Sequence, residues 1–169
     1  MVAVRRPPEE GGELAANIRR AIRDDQPWIV SLGALVYLEL GDYRQILPSW
    51  LEQRGVLAWV EADGVQRRGF AMLGFYPDED GASVTDLLTL AIDPAFQRHG
   101  LGDALLEHVI GVAARVGPQH GIDELRLTVA HDNLVGQRMY AKHGFTKANV
   151  PPGRYAGGQR ALRMIRPLP

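Results

Sequence analysis

The order of hydrophobic and polar residues along the chain predicts a mixed α/β domain. Alternating or continuous apolar runs predict strands, whereas apolar residues three or four positions apart predict helices. A turn at Ala62-Asp63-Gly64 is predicted to join two of the strands as a hairpin. We predict strands at 2–6, 57–62, 69–76, 83–92 and 124–130, helices at 10–24, 28–40 and 43–54, a helix after Gly102, a helix containing Tyr140, and a final hairpin ending at Arg166.

The most informative segment is the one in which an apolar strand ends at Asp93-Pro94 and a glycine-containing loop opens a helix. Unpaired backbone N–H groups of such a loop and of the first helical turn converge, and the helix dipole adds about half a positive charge there. Gly100 and Gly102 carry no Cβ, so phosphate oxygens can approach the backbone amides. This pattern predicts a phosphate or pyrophosphate site, although a tight turn before an ordinary helix has the same pattern.

Two common phosphate-binding loops do not fit this segment. A P-loop requires Gly-Lys-Ser/Thr at its end, and here Gly102 is followed by Asp103 and Ala104. A dinucleotide fingerprint requires a third small residue where this chain has Leu105. The predicted anion site therefore belongs to another class.

A second motif follows the strand at 124–130. Asp132 or Asn133 is the predicted N-cap of a helix, and Gly144 fits the left-handed position after its last residue. Asn133 and Tyr140 are seven residues apart, so they fall within about 20° of each other on the helix surface. With Gly136 between them, this face suits a long, thin ligand. The alternative is that Tyr140 is a core aromatic residue and Gly136 only allows close packing.

Taken together, the two motifs resemble those of the GCN5-related N-acetyltransferase (GNAT) family. The acetyl-CoA motif of that family, Gln/Arg-x-x-Gly-x-Gly/Ala, is matched by residues 97–102, and its Asn…Tyr…Gly-Phe helix is matched by Asn133, Tyr140, Gly144 and Phe145. The resemblance covers roughly residues 55–165. It implies one domain over residues 1–169, with the GNAT fold: a mixed, mostly antiparallel sheet of six to seven strands with helices on both faces.

The resemblance also implies where acetyl-CoA, the cosubstrate, lies. In the family, the strands that match 83–92 and 124–130 splay apart, and the pantetheine arm lies in the gap. Backbone N–H groups near residues 90–92 are implied to bind that arm and the oxyanion. The implied binding residues are Leu90, Ala91, Ile92, Gln97, Arg98, His99, Gly100, Leu101, Gly102, Asp103, Asn133 and Tyr140.

Tyr140 is the predicted general acid, which gives a proton to the leaving thiolate. The unperturbed pKa of tyrosine is about 10 and that of a thiol about 8.5, so the transfer is uphill by only about 2 kcal/mol.

Asp86 is the predicted general base, at a position where several family members have a glutamate. Strand alternation predicts that it lies on the same face as Leu88, Leu90 and Ile92. Its neighbours Leu87 and Leu88 are expected to desolvate the carboxyl and raise its pKa. The alternative, that Asp86 ties down a neighbouring segment or binds the substrate ammonium, stays open.

The implied reaction is transfer of acetyl from acetyl-CoA to a primary amine of a small molecule or of a peptide or protein N-terminus, by direct attack in a ternary complex. The alternative is a CoA-binding sensor or regulatory module with little turnover. In the family, the first two helices and the last hairpin form the acceptor cleft, and Arg154 is a candidate for holding a carboxylate. The corresponding aromatic and basic residues here are Trp28, Tyr37, Tyr43, Trp50, Arg154 and Tyr155.

Composition narrows the choice of partners. With 19 basic and 20 acidic residues the formal net charge is −1, so no global field favours nucleic acid or an anionic membrane. The sequence has no cysteine and five scattered histidines, which argues against a disulfide, a thiolate site or a metal site and favours the cytoplasm. Residues 1–12 lack the apolar core of a signal peptide, and the apolar run at 28–38 is too short to span a bilayer. A homodimer is compatible with the sequence.

Overall fold

The computed structural model describes residues 12–169. The four helices are α1 (Gln26–Val36), α2 (Tyr43–Leu51), α3 (Leu101–Val116) and α4 (Leu134–Lys142). The strands are β1 (Ile18–Arg20), β2 (Val56–Asp63), β3 (Gln66–Pro77), β4 (Ser83–Ile92), β5 (Glu124–Ala130), β6 (Thr146–Lys147), β7 (Gly153–Arg154) and β8 (Arg160–Pro167). Short 3₁₀ helices lie at Arg23–Asp25, Pro94–Phe96 and Gly117–His120.

The strands form one mixed sheet in the order β1-β2-β3-β4-β5-β8-β6, with β7 also paired to β8. All of these pairs are antiparallel except β4–β5, which is parallel. The predicted mostly antiparallel α/β fold is therefore confirmed. The described part of the chain has eight strands, whereas six to seven were expected. The difference arises because β6 and β7 have only two residues each, too few to show a hydrophobic pattern.

The sheet is covered on both faces, and each face has its own apolar core. On one face α3 buries Leu105 and Val109 against β2, β3, β4 and β5. On the other face α1 and α2 pack Ile29 and Leu47 against β2, β3 and β4. Neighbouring strand residues such as Phe70 and Ala71 enter opposite cores, as the two-residue period of a strand requires.

The described part of the N-terminal segment differs from the helix predicted for it. The strand predicted at 2–6 lies outside the described residues. The helix predicted at 10–24 is wrong, because residues 18–20 pair with β2 as an edge strand and a 3₁₀ turn follows. Pairing with a distant strand outweighs the local helical pattern here, since Ile18 has Glu61 as its partner.

Asp25 fixes this N-terminal segment to the sheet. Its fully buried carboxylate accepts hydrogen bonds from Arg19 Nη1 at 2.7 Å, from Arg67 Nε at 2.7 Å and from the Ile22 backbone N–H at 2.8 Å. The Arg19 hydrogen bond above all, and also those from Ile22 and Arg67, holds the pKa of this carboxyl well below its usual range, against the effect of burial.

Acid should therefore destabilise the protein partly through Asp25. A carboxyl whose pKa is lower in the folded state stabilises fully above its unfolded pKa of about 3.9, and that stability is lost as the pH falls towards the folded pKa. We expect the free energy of unfolding, measured with urea, to fall less steeply below about pH 4 in Asp25→Asn than in the parent protein. Parallel curves for the two proteins would contradict this assignment.

Candidate active site

The site begins where β4 and β5 stop pairing. These parallel strands pair only at Thr85–Leu125, Asp86–Arg126 and Leu87–Leu127. Beyond Leu87 and Leu127 they separate, and we call the gap between residues 88–92 of β4 and residues 128–130 of β5 the fork. In a continuous sheet, the backbone N–H and C=O groups along the two sides of the fork would pair with each other.

A β-bulge sets the orientation of β4 beside the fork. Thr89 is the partner of Met72 and Leu87 that of Leu73, so Leu88 is an extra residue. As a result Leu88 packs towards α1 and α2, whereas Leu90 and Ile92 pack in the core under α3. The prediction that strand alternation places Leu88, Leu90 and Ile92 on one face is therefore wrong.

Residues 97–102, which we call the phosphate loop, have the backbone of an anion site. Arg98 has φ 65° and Gly100 has φ 83°, both in the left-handed region, and α3 begins directly at Leu101. Left-handed residues turn successive N–H groups to one side, and no side chain caps the first turn of α3. For arginine this conformation costs about 1–2 kcal/mol, which points to a functional constraint on the loop.

The side chains of the phosphate loop support its conformation. Gln97 Nε2 donates to the Ile92 carbonyl at 3.1 Å. His99 is buried, and its Nδ1–H donates to the Gly12 carbonyl at 2.6 Å, while the Leu14 N–H donates to the His99 carbonyl at 3.0 Å. The His99 side chain and the Ile92 carbonyl thus have protein partners, and the loop offers a ligand mainly its amides.

Asp103, in the first turn of α3, connects that helix to α4. Its Oδ1 receives His143 Nε2 at 2.7 Å and Lys142 Nζ at 3.2 Å. The His143 hydrogen bond is the main cause that lowers the pKa of Asp103. The carboxylate is engaged, so only the backbone of Asp103 is suited to an anion.

Asn133 caps α4, as one of the two alternatives predicted. Its Oδ1 accepts the Gly136 N–H at 2.9 Å. A Cβ on Gly136 would lie 2.6 Å from Asn133 Nδ2, so the glycine makes room for the cap rather than for a ligand. This observation changes the interpretation of Gly136 and gives the Asn133 side chain a structural partner.

Tyr140 lines a cleft at the fork. Its ring packs edge-on against Phe145, with 5.9 Å between ring centroids. Burial, and then the nearby Tyr37 and Tyr155, raise the pKa of Tyr140 well above its usual value. Within residues 12–169 its hydroxyl has no hydrogen-bond partner, so the proton is available to a group in the cleft.

Tyr37 reaches the fork from the C-terminal end of α1. Its hydroxyl donates to the Leu90 carbonyl at 2.7 Å and accepts from the Leu90 N–H at 3.2 Å and from Thr89 Oγ1 at 2.8 Å. Burial is the main cause that raises the pKa of Tyr37 to about 12. Both polar backbone groups of Leu90 therefore point into the fork, where the Tyr37 hydroxyl occupies them.

The cleft has a volume of about 480 Å³ and continues from the fork to the loop between α1 and α2. The loop between α1 and α2 is hydrogen-bonded to the loop between β7 and β8. The Gly157 N–H donates to the Leu40 carbonyl at 3.0 Å, and Gln159 Nε2 donates to the Glu39 carbonyl at 2.8 Å. Glu39 and Asp132 are the charged residues that line the cleft, within the described part of the chain. The other outer lining residues are apolar or aromatic and include Leu35, Val36, Leu38, Leu40, Tyr43 and Tyr155.

Comparison with known proteins agrees with this arrangement. The sequence model of the acetyltransferase (GNAT) family matches residues 18–145. This chain belongs to that family. A ribosomal protein bS18-alanine N-acetyltransferase of Escherichia coli K12 is 29% identical over 133 residues, which cover 70% of this chain and 87% of the relative.

Two solved structures show the same fold. Arabidopsis thaliana NAA60, in complex with a bisubstrate analogue, gives a TM-score of 0.77 at 13% identity, over 91% of this chain and 98% of that one. Salmonella typhimurium yncA, with acetyl-CoA as its cofactor, gives 0.73 at 20% identity, over 92% and 95%. This family member is thus an N-acetyltransferase that depends on acetyl-CoA.

The acceptor residues implied by the resemblance divide into two groups in this acetyltransferase. Tyr37, Tyr43 and Tyr155 line the cleft. Trp28 and Trp50 pack against the core under α1 and α2. Arg154 is exposed and donates to the Gly158 carbonyl at 2.8 Å, away from the cleft lining, so it does not fit the predicted role of carboxylate ligand.

Asp86 is not among the residues that line the cleft. Its carboxylate accepts Nε and Nη2 of Arg126 at 2.7 and 3.1 Å and also the hydroxyl of Tyr76. Both oxygens of the carboxylate already accept hydrogen bonds from these partners, and neither faces the cleft in which the substrate amine would lie. The geometry therefore favours the alternative in which Asp86 ties down a neighbouring segment.

Several residues of the site and its surroundings were not expected from the sequence. Thr89, Glu39 and Arg126 were not singled out, and Asp132 was considered only as a cap. Arg126 was detectable, because it and Asp86 are charged residues in the middle of two otherwise apolar strands.

Within residues 12–169 no group of three or more histidine and carboxylate side chains could hold a metal ion. No helix in that part of the chain is long and apolar enough to cross a membrane.

Proposed function

We propose that this acetyltransferase transfers the acetyl group of acetyl-CoA to the α-amino group of a peptide or protein N-terminus, by direct attack in a ternary complex. The observation that carries this proposal is the charge of the cleft. Glu39 and Asp132 are acidic, and no lysine or arginine in residues 12–169 lines the cleft.

The acidic lining discriminates between classes of amine. A free amino acid carries a carboxylate next to its amine, and here that carboxylate would be desolvated without a cationic partner. In a peptide the same position is a neutral amide, and the ammonium group is attracted to the carboxylates at the mouth. The apolar residues Leu35, Leu38 and Leu40 suit an apolar first side chain.

The curated relative supports the same class of acceptor. The E. coli relative acts on the alanine of ribosomal protein bS18, which is a protein substrate. At 29% identity this supports a protein acceptor without identifying it.

The residues present fit acetyl-CoA. We propose that the amides of residues 97–103 bind the pyrophosphate and that Arg98, which is exposed, contacts a phosphate oxygen. Leu90 would pair with the pantetheine arm if the arm displaces the Tyr37 hydroxyl, since the Leu90 N–H and C=O point into the fork and both bond Tyr37 in the free protein. Ala91 would only border the arm, because alternate residues of β4 point their polar groups towards β3. Ile92 would offer only its N–H, because its carbonyl bonds Gln97.

The reaction requires two proton movements. The amine nitrogen attacks the thioester carbon, the C–S bond breaks, the resulting ammonium loses a proton and the thiolate sulfur gains one. A backbone N–H near residues 90–92 that the arm leaves free would stabilise the oxyanion, and Tyr140 would donate to the thiolate. With Asp86 paired to Arg126, the cleft would select an amine that is already neutral. An α-amine with pKa of about 7.7–8.0 supplies that form far better than a lysine with pKa of about 10.4.

A comparison of three matched acceptors tests the proposal. With kcat/KM expressed per neutral amine, since the amine of free leucine is the more basic, we expect a C-terminally amidated peptide that begins with leucine, and also leucine amide, to exceed free leucine at least about tenfold. Only the free acid brings an unpaired carboxylate next to the amine. Thiol release measures all three. Equal rates for free leucine and its amide would overturn the peptide assignment. Binding of acetyl-CoA without turnover on any amine would favour the CoA-binding module instead.

The cytoplasmic location and a homodimer stay predictions. Neither the fold nor the cleft depends on them.

A further inference from the structure

An ion pair connects β4 and β5 at the base of the fork. Asp86 and Arg126 are direct partners in the parallel register, one step before the last pair, Leu87 and Leu127. The guanidinium donates two hydrogen bonds to the carboxylate, and the Tyr76 hydroxyl of β3 donates a third. One cluster of side chains therefore joins three neighbouring strands where two of them begin to separate.

The backbone alone holds this junction weakly. Parallel pairing is slightly less stable per residue than antiparallel pairing, and β4 and β5 pair at only three positions. The Asp86 and Arg126 side chains are only 18% and 14% exposed, so solvent screens their interaction less than it would at the surface. A two-bond guanidinium–carboxylate contact also fixes orientation and not only distance.

The charges around the pair favour this arrangement. The Asp86 hydrogen bond is the main cause that raises the pKa of Arg126, and Glu124 and Asp78 add negative potential. Arg126 thus remains charged, and Asp86 supplies the carboxylate that contacts it directly. Removing Asp86 would leave the guanidinium without its hydrogen-bond acceptors.

We propose that Asp86, Arg126 and Tyr76 form a clamp that fixes the point at which β4 and β5 separate. Leu90 follows Asp86 by four residues on β4. The clamp therefore sets the position of the Leu90 backbone amide relative to β5, on the other side of the fork. Its members are positioning residues that act on acetyl-CoA through the width and depth of the fork. This inference rests on the proposed acetyl-CoA site, and it does not depend on which amine is the acceptor.

The test uses Asp86→Asn and Arg126→Met, with Asp25→Asn as the matched control. Asp25 also forms an ion pair between distant segments, with Arg19 and Arg67, but at the β1 end of the sheet and away from the fork. We expect both clamp variants to raise the calorimetric Kd of CoA and the KM of acetyl-CoA by about tenfold. Asp25→Asn should lower the melting temperature and leave both constants unchanged.

Further readouts separate the clamp from other roles. The kcat/KM profile against pH should keep its shape in Asp86→Asn, and the double variant should be no worse than either single variant, since both remove one interaction. Loss of an ionisation in Asp86→Asn would overturn the clamp in favour of a catalytic base. Unchanged Kd and KM in folded variants would overturn it as well.

Two arrangements keep the test decisive. If Asp86→Asn does not fold, Arg126→Lys keeps the charge and loses the two-bond geometry, and the same tenfold rise in Kd is expected. Because CoA binding is measured without acceptor, failure of the parent protein to bind CoA would reject the proposed function. Binding by the parent and equal binding by the variants would reject only the clamp.

Discussion

Tyr140→Phe should lower kcat by roughly 10²-fold or more while the Kd of CoA changes by no more than a few-fold, because general acid catalysis is typically worth 10²–10⁴. The change removes one hydroxyl and keeps the ring that packs against Phe145. Thiol release gives kcat, and calorimetry gives Kd. An equal loss in binding would make Tyr140 a packing residue.

The raised pKa of Tyr140 adds a pH signature to this result. From its usual pKa, donation to a thiolate is uphill by about 2 kcal/mol, and burial raises the pKa further, so the transfer is harder than the sequence implies. The same shift keeps Tyr140 protonated in alkaline solution. We expect no alkaline decline of kcat up to about pH 10.

A packing control is available next to Tyr140. Phe145→Leu should reduce stability, since Phe145 is 2% exposed, while it keeps the Tyr140 hydroxyl. We expect its kcat to stay within about tenfold of the parent value, well above that of Tyr140→Phe. A kcat as low as that of Tyr140→Phe would show that ring position, and not the hydroxyl, limits turnover.

Gly102→Val should weaken CoA binding by at least about 10²-fold in a protein that still folds. A Cβ at Gly102 would meet Met139 Sδ at 3.4 Å, Ile92 Cγ1 at 3.7 Å and Leu90 Cδ2 at 3.9 Å, which are ordinary contacts. The branched γ-carbons would then narrow the space between α3, α4 and β4 that leads from the phosphate loop into the fork. Calorimetry with CoA measures the loss, and a thermal melt confirms folding.

Gly111→Val is the matched control for this change. Gly111 lies in the same helix, and a Cβ there would contact only the far end of the Arg115 side chain, at 3.4 Å. We expect CoA affinity to be unchanged in this variant. Unchanged affinity in a folded Gly102→Val protein would remove the phosphate loop from the binding site.

Some parts of the fold and site depend on local sequence, and these were predicted well. β4, β5 and α3 follow from apolar periodicity, and the Asn133 cap and the left-handed Gly144 follow from residue type. In each case the interactions that decide the structure lie within one helix turn or one strand. The family motif at residues 97–102 was also predictable from local sequence, because its glycines and the start of α3 are adjacent in the chain.

Other parts depend on contacts between distant segments, and these were missed. Residues 18–20 have a local helical pattern but pair with β2, about forty residues away. Asp86 has the hydrophobic neighbours expected of a desolvated base, yet Arg126 neutralises it from a strand forty residues along the chain. Tyr37 was assigned to the acceptor wall, while its hydroxyl bonds Leu90 across the two layers.

The sequence by itself determined the α/β class, the glycine-containing turn after β4, and the helix that carries Tyr140, because short-range periodicity, caps and glycine positions fix those features. Only the tertiary structure decided the bulge at Leu88, the residues at which β4 and β5 separate, and the partners of Asp86 and Tyr37. The physical reason is register. A strand shows which residues alternate, but which backbone and side chains stand opposite them is set by the packing of the whole sheet.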